Sequence, residues 1–392
     1  METLPFGQPR IVSRIFRDKR VLRESYLPPT LPGRESQMEE FEALLAPLYY
    51  NEPAPNILFI GKTGTGKTAV VKQILARKEA EFKNSYVRFE YINCSRANTA
   101  YRVFYKLNRI FGILVPPSGL PFDVLYDRFF EALSSSKIRL VVILDEIDIP
   151  SRRGDRLLYS LSRINSDLNE ETTSLTVVGI ANTVNFIDRL DERARSSFNP
   201  AVIYFPPYNA DELKAILLQR AHLGLRDGTW EEGAINYIAA KIARESGDAR
   251  RAIDVLRMAA EIAEKENSIK LTIEHARKAM DAVNEQELGL AIRSLPLHHK
   301  FVLLAIAKLL ASGDERPGTG KIYRSYLTIT RMHMAEPLTM RRVSGIINEL
   351  ASQGLIETKM SYGGAYGNTK VVTSLIVAPE RALKLLGSAG LR

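Results

Sequence analysis

The sequence predicts an α/β chain in three parts: a parallel sheet covered by helices on both faces, an all-helical second domain, and a basic helix-turn-helix closed by a hairpin. Three observations carry this. Short apolar runs without helical period alternate with helical stretches as far as Phe205, the pattern of strands buried on both faces. At Asn209 the strand signals stop, and helical periods take over to about Asn284. From Ala291 to Arg392 there are 14 Lys+Arg against 6 Asp+Glu, a net of +8 out of the formal +9, which leaves 40 against 39 for everything before. A basic module behind an electrically balanced body suits a polyanion partner, nucleic acid first.

The elements follow in order. Met1 to about Arg23 carries scattered Arg and Lys broken by Pro5, Gly7 and Pro9, an arm rather than a domain. Tyr26 to Arg34 is a proline-rich turn segment, and Glu35 to Tyr49 reads as one helix with Met38, Phe41, Leu44, Leu45 and Leu48 on a face. Asn56 to Ile60 is the first strand, Ala69 to Ala76 a helix, and Tyr86 to Cys94 the second strand. Helices and loops lead to the apolar strand Leu140 to Leu144. A helix over Arg156 to Asn169 precedes the strand Leu175 to Ala181, and Ala201 to Phe205 is the last strand of the sheet. In the final quarter, helices run to Leu310 and a Gly/Pro loop spans Ser312 to Gly320. A helix over Lys321 to His333, a turn at Ala335 to Leu338 and a helix from the N-cap Thr339 to Gln353 make helix-turn-helix spacing. Leu355 to Ser361 and Lys370 to Val377 form two terminal strands, which completes a winged helix. The expected domains are 1–23, 24–207, 208–288 and 289–392.

A chain of 392 residues exceeds one ordinary core. Its apolar stretches fall short of a membrane span, and its charged N-terminal residues do not fit a signal peptide, so a cytosolic or nuclear setting without membrane is expected. Cys94 is the one cysteine, which excludes an internal disulfide and a cysteine-based zinc site; it is expected to fill space at a strand end.

Between the first strand and its helix lies Gly61-Lys62-Thr63-Gly64-Thr65-Gly66-Lys67-Thr68, a G-x-x-x-x-G-K-[ST] loop. In that position, backbone N–H groups from Gly61 through Thr63, Gly64, Thr65 and Gly66 to Ala69, with the helix N-terminus, surround a nucleoside triphosphate. Lys67 reaches the outer phosphates and the Thr68 hydroxyl ligates Mg2+. The strand ending in Asp145-Glu146-Ile147-Asp148 places carboxylates beside that loop, Asp145 for the metal and Glu146 to polarise an attacking water. Asn182 ends the next strand, placed to touch the γ-phosphate or orient the water. Arg193 and Arg195 follow as candidates to reach a neighbouring subunit's nucleotide. In the helical domain, Gly247-Asp248 starts a helix whose first turn carries Arg250 and Arg251. Cations there oppose the helix dipole, so an anionic partner such as phosphate is expected. In the second helix of the helix-turn-helix, Val343, Ile346, Ile347 and Leu350 face the core. Thr339, Met340, Arg341, Arg342, Ser344 and Asn348 remain outside, and those near the helix start are placed for base edges or phosphates.

The motifs GKTGTGKT, LDEID, GIAN, PPYNADEL, GDARRAID and LTMRR, in this order from about Tyr26 to Val377, resemble the AAA+ ATPases and, within them, the archaeal initiators related to the origin recognition complex and the loader cell-division-cycle six. The resemblance implies an AAA+ parallel-sheet nucleotide-binding core with Walker A and Walker B motifs, a helical lid and a C-terminal winged-helix domain. It implies that Pro32 to Glu35 lies beside the adenine, that Tyr208 and Arg220 are lid residues at the nucleotide, and that Arg250 is sensor two. A helical insertion between Asn98 and about Leu120 is implied to touch DNA. Ser197 stands where eukaryotic relatives often carry an arginine. The wing tip Gly363-Gly364-Ala365-Tyr366-Gly367 lacks the arginine usual between its glycines, which leaves tip contacts to Tyr366, Asn368 or Lys370. The implied function is ATP-dependent initiation of DNA replication in the cytoplasm, associated with the nucleoid. The chain would bind duplex origin DNA, help recruit the replicative helicase alongside related initiator subunits, and hydrolyse ATP to ADP slowly with Mg2+ as a switch. A nucleotide-gated transcription regulator and a remodelling ATPase remain the alternatives.

Overall fold

The computed structural model describes residues 13–83, 85–151, 156–168, 171–364 and 367–388. After Ile273 the chain divides into two compact units.

The first unit is built on five parallel strands: β1 (Ile57–Ile60), β2 (Val87–Asn93), β3 (Arg139–Asp145), β4 (Ser174–Ala181) and β5 (Ala201–Tyr204), in the order β2-β3-β4-β1-β5. β3 and β4 are buried at every position, as the continuous apolar runs required. Because strand side chains alternate, the sheet feeds two cores. Leu58, Val142, Leu144 and Val177 join Phe104, Phe129 and Leu161 from α3 (Ala100–Ile110), α4 (Phe122–Ser136) and α6 (Arg156–Asp167). On the other face Ile57, Phe59, Val141, Ile143 and Val178 join Phe41 and Ile74 from α1 (Glu35–Leu45) and α2 (Lys67–Glu81). Asp148–Ser151 forms the short α5, and Glu192–Phe198 forms α7. Cys94 is fully buried just past β2, where it fills space.

The expected single helix over Glu35 to Tyr49 ends as α-helix at Leu45 and continues as a 3-10 turn over Ala46–Tyr50. Pro47 is the cause, since it has no N–H to donate to the turn before it.

Three helices follow the sheet: α8 (Ala210–Gly224), α9 (Glu232–Glu245) and α10 (Ala249–Lys265). Asn209 and Glu212 close a reciprocal capping box at the start of α8, and Asp248 caps α10 through its bonds to the Arg250 and Arg251 amides. α11 (Ile273–Ser294) runs unbroken through the expected boundary at residue 288.

The second unit packs α12 (Leu297–Ala311), α13 (Thr319–Met332) and α14 (Met340–Ser352) around Phe301, Tyr326 and Ile346. The antiparallel hairpin β6 (Ile356–Gly364) and β7 (Gly367–Leu375) follows. The two expected terminal strands are not the end of the fold. Helix α15 (Pro379–Ser388) comes after them and buries Ala382 and Leu386 in the same core. Among the described residues, no helix is long and apolar enough to cross a membrane.

Candidate nucleotide site and nucleic-acid interface

The loop between β1 and α2 sits at the C-terminal edge of the sheet, and the strand register brings the acidic residues to it. Ile60 pairs with Ala181, Asp145 with Ile180 and with Asn93, so Asp145, Asn182 and the loop share one edge. Lys67 is buried, and its Nζ donates to the carbonyls of Gly61 and Lys62, each at 2.7 Å. Burial and the nearby Arg250 push the Lys67 ammonium down to about 8. Two cations near enough to repel are what a polyphosphate relieves.

Thr68 Oγ1 lies 3.3 and 3.2 Å from the two oxygens of Asp145, and the Tyr91 hydroxyl donates to Asp145 Oδ2. Hard oxygens from a hydroxyl and a carboxylate at the foot of the loop are the donor set that suits Mg2+. Glu146 stands beside them with φ 58, a left-handed conformation that a side chain adopts at a cost. Burial, then Asp145 and Asp148, raise its carboxyl above the usual range, and Arg250 opposes them. A raised carboxyl beside that donor set is suited to taking up a proton. Asp148 is buried and accepts from Thr183 Oγ1 at 3.1 Å.

The helical domain closes directly on the loop. Ala249 N–H donates to the Gly64 carbonyl at 3.1 Å. Gly64 has φ +77, and a Cβ there would stand 1.8 Å from Asp248 Oδ1; a Cβ at Gly66 would stand 2.4 Å from the Tyr208 hydroxyl. Both glycines are therefore required by the helical domain packed against them. A cavity of about 680 Å³ opens here, walled by Gly64, Gly66, Thr68 and Ala69 on one side and Tyr208, Arg220 and Arg250 on the other. Tyr26, Leu27, Leu31, Ile216 and Ile253 supply an apolar end.

Arg220 lines this cavity, but its guanidinium donates to the carbonyls of Val21 and Tyr26, at 2.8 and 3.0 Å, and so fastens the N-terminal segment to the lid. Arg251 finds its expected anion in Glu245 at 3.1 Å. Arg193 and Arg195 are exposed on α7, and Arg193 lines a shallow surface groove with Tyr159 and Arg163; neither borders the cavity.

Sequence reasoning passed over Tyr91 on β2, since a tyrosine in a strand carries no local mark of its partner. Arg34, within the Pro32 to Glu35 stretch that the resemblance set beside the adenine, commits its guanidinium to main-chain carbonyls. It is 1% exposed, donates to the carbonyls of Thr65 (2.8 Å), Pro206 (2.7 Å) and Gly33 (2.5 Å), and stacks on the Tyr208 ring at 3.7 Å.

In the second unit Thr339 caps α14 by accepting from Arg342 N at 3.4 Å. Met340, Arg341 and Asn348 are exposed, Ser344 is half-buried, and Val343, Ile346, Ile347 and Leu350 are in the core. Arg342 pairs with Glu349 at 3.0 Å, which also meets His299 Nε2 at 2.7 Å. Arg341 makes no ion pair among the described residues. Lys370 Nζ donates to Asn348 Oδ1 at 2.6 Å, which ties the hairpin to α14. Tyr366 and the Asn368 side chain lie outside the described residues.

The sheet order, the phosphate loop, the acidic strand end and the closing helical domain define an AAA+ protein fused to a winged helix. Three family models match in sequence: an AAA domain over residues 51–190, the Cdc6 AAA+ ATPase-type lid domain over 214–281, and the CDC6 C-terminal winged helix domain over 290–384. The chain is 40% identical to the ORC1-type DNA replication protein of Desulfurococcus amylolyticus over 364 residues, 92% of this chain and 91% of that one. It is also 40% identical over 372 residues to ORC1-type DNA replication protein 1 of Archaeoglobus fulgidus, covering 94% and 90%. Among solved structures it resembles Aeropyrum pernix ORC1 in complex with DNA, at TM-score 0.77 and 37% identity over 97% of this chain and 98% of that one. It also resembles the ORC2 protein of the same organism in ADPNP-ADP complexes, at TM-score 0.65 and 25% identity, covering 96% and 98%. The chain belongs to the ORC1-type DNA replication proteins, initiators of the ORC1/Cdc6 kind.

Proposed function

We propose that this protein binds ATP between its core and lid, binds duplex DNA at replication origins through its winged helix, and uses slow hydrolysis to ADP as a switch between assembly states. The observation that carries the switch is the lid's seat on the phosphate loop. Ala249 and Asp248 touch Gly64, and Arg250 shares one cavity with Gly64, Gly66 and Thr68, so what fills the cavity governs how the lid sits. Lys67 and Arg250 neutralise the phosphates, and the loop amides fix them. Thr68 and Asp145 would hold Mg2+, which would supply charge neutralisation at the phosphates. Glu146 accepts the proton of the attacking water, and Asn182 orients that water. Arg193 or Arg195 serves a neighbouring protomer's nucleotide. By analogy with the family, the chain helps recruit the replicative helicase with related initiators, and the segment between Asn98 and about Leu120 touches DNA.

Two substitutions test the site. Lys67→Ala is expected to abolish nucleotide binding, and unchanged ATP affinity overturns the loop assignment. Glu146→Gln is expected to retain ATP and stop hydrolysis; normal turnover means that another group handles the water. Footprints across the genome with ATP and then ADP test the origin role, and occupancy confined to promoters refutes it.

A further inference from the structure

Among the described residues, five helices end in one backbone motif. In each, the second residue past the helix donates its amide to the last carbonyl but one and the third donates to the carbonyl before that, with the second in the left-handed region. After α3, α12 and α14 the left-handed residue is Gly112, Gly313 and Gly354, and after α10 it is Asn267, the residues that this conformation favours. After α13 it is Met334, at φ 52, with Met334 N donating to Arg331 O at 3.2 Å and Ala335 N to Thr330 O at 2.9 Å. A long apolar side chain thus occupies a position where glycine suits the backbone better. It is also 96% exposed, so packing does not compensate.

Met334 sits in the turn that leads into α14. Among the described residues, the large apolar side chains exposed beyond Leu297 are Met332, Met334, Met340 and Met360, all in the helix-turn-helix or its hairpin. Methionine is flexible and polarisable and adapts to uneven apolar surfaces. Around this set stand the exposed Arg331 and Arg341, in a domain whose net charge is +8, which favours a polyanion over a protein surface. The apolar group that duplex DNA offers in its major groove is the thymine 5-methyl.

We propose that Met334, with Met340 at the start of α14, forms an apolar contact with thymine methyl groups of bound duplex DNA, and that the strained turn is kept for that contact. This rests on the winged-helix reading above. The test uses the full chain saturated with ATP, an A·T-rich duplex, and the same duplex with uracil in place of thymine. Wild-type protein is expected to bind the uracil duplex about fourfold more weakly, the size of one lost methyl contact. Met334→Gly and Met334→Asn are expected to raise the melting temperature, to bind the thymine duplex about fourfold more weakly than wild type, and to bind the uracil duplex equally well. Their salt slope stays that of wild type, because no charge is removed. Unchanged affinity, an equal loss on both duplexes, or a lowered melting temperature overturns the proposal. Arg341→Ala separates the two layers. If it lowers affinity and salt slope while the methionine variants bind both duplexes as wild type does, only the methyl contact fails. If all three variants leave affinity and salt slope untouched, the winged-helix reading fails with it.

Discussion

Replacing Gly64 by alanine probes the seat of the lid on the phosphate loop. The backbone there has φ +77, which costs an L-residue about 1–2 kcal/mol. The new Cβ would stand 1.8 Å from Oδ1 and 2.1 Å from Cγ of Asp248, so the carboxylate must move, at a further ~1–3 kcal/mol. Asp248→Ala alone removes the cap of α10 and costs about 1 kcal/mol. Combined, the two substitutions no longer collide, and the pair is expected to be less destabilising than the sum by about 1–3 kcal/mol. Trp230, the one tryptophan, lies in the same compact unit, so its fluorescence during urea unfolding reads all four members of the cycle. ATP affinity, titrated in parallel, is expected to fall for Gly64→Ala and to recover in part when Asp248 is also removed. Strictly additive effects in both measurements refute the steric argument and place the lid elsewhere in solution.

Other outcomes follow from single groups. Lys67, held down to about 8, is less protonated in the fold than in the unfolded chain between pH 8 and its ordinary value of 10.5. Its contribution to stability therefore rises with pH across that window, whereas ATP affinity falls by up to about tenfold per unit above pH 8 as the ammonium is lost. A flat affinity profile to pH 10 contradicts this. Tyr91→Phe is expected to leave ATP affinity without Mg2+ unchanged and to shrink the gain on adding Mg2+ about fivefold, the value of one hydrogen bond to Asp145. An equal gain in mutant and wild type shows that the hydroxyl only packs. Arg341→Ala is expected to lower the salt slope of DNA binding by about 1, and Arg342→Ala by less because Glu349 already engages it; the reverse order would mean that the pair opens on DNA.

What local pattern encodes was readable from the sequence, and what folding brings together was not. The buried strands needed only apolar runs, and the phosphate loop only its glycine spacing between strand and helix. Thr339 was readable as a cap, and Gly247-Asp248 as a helix start, because a cap depends on residues two and three positions on. The bond from Tyr91 to Asp145 spans 54 positions, and that from Arg34 to Pro206 spans 172, so neither leaves a trace in any window. α15 did have a signal, Pro379 and Glu380 ahead of Ala382, Leu383, Leu385 and Leu386, but it follows a strand closely enough to be read as a tail. Pro47 shows the opposite failure, an apolar period continuing past a residue that cannot continue the helix.

Arg34 grips main-chain oxygens at positions 33, 65 and 206. Position 33 is held to glycine by its φ of +75 and by the Glu212 side chain, 2.9 Å from where a Cβ would stand. A carbonyl is present whatever residue occupies the three positions, so the bonds themselves ask nothing of the side chains there. Position 34 has no such latitude, because a lysine carries one nitrogen where the guanidinium offers three, and it lacks the flat face that lies on Tyr208. The side-chain requirement of these bonds is therefore one-sided, resting on the single donor and not on the acceptors.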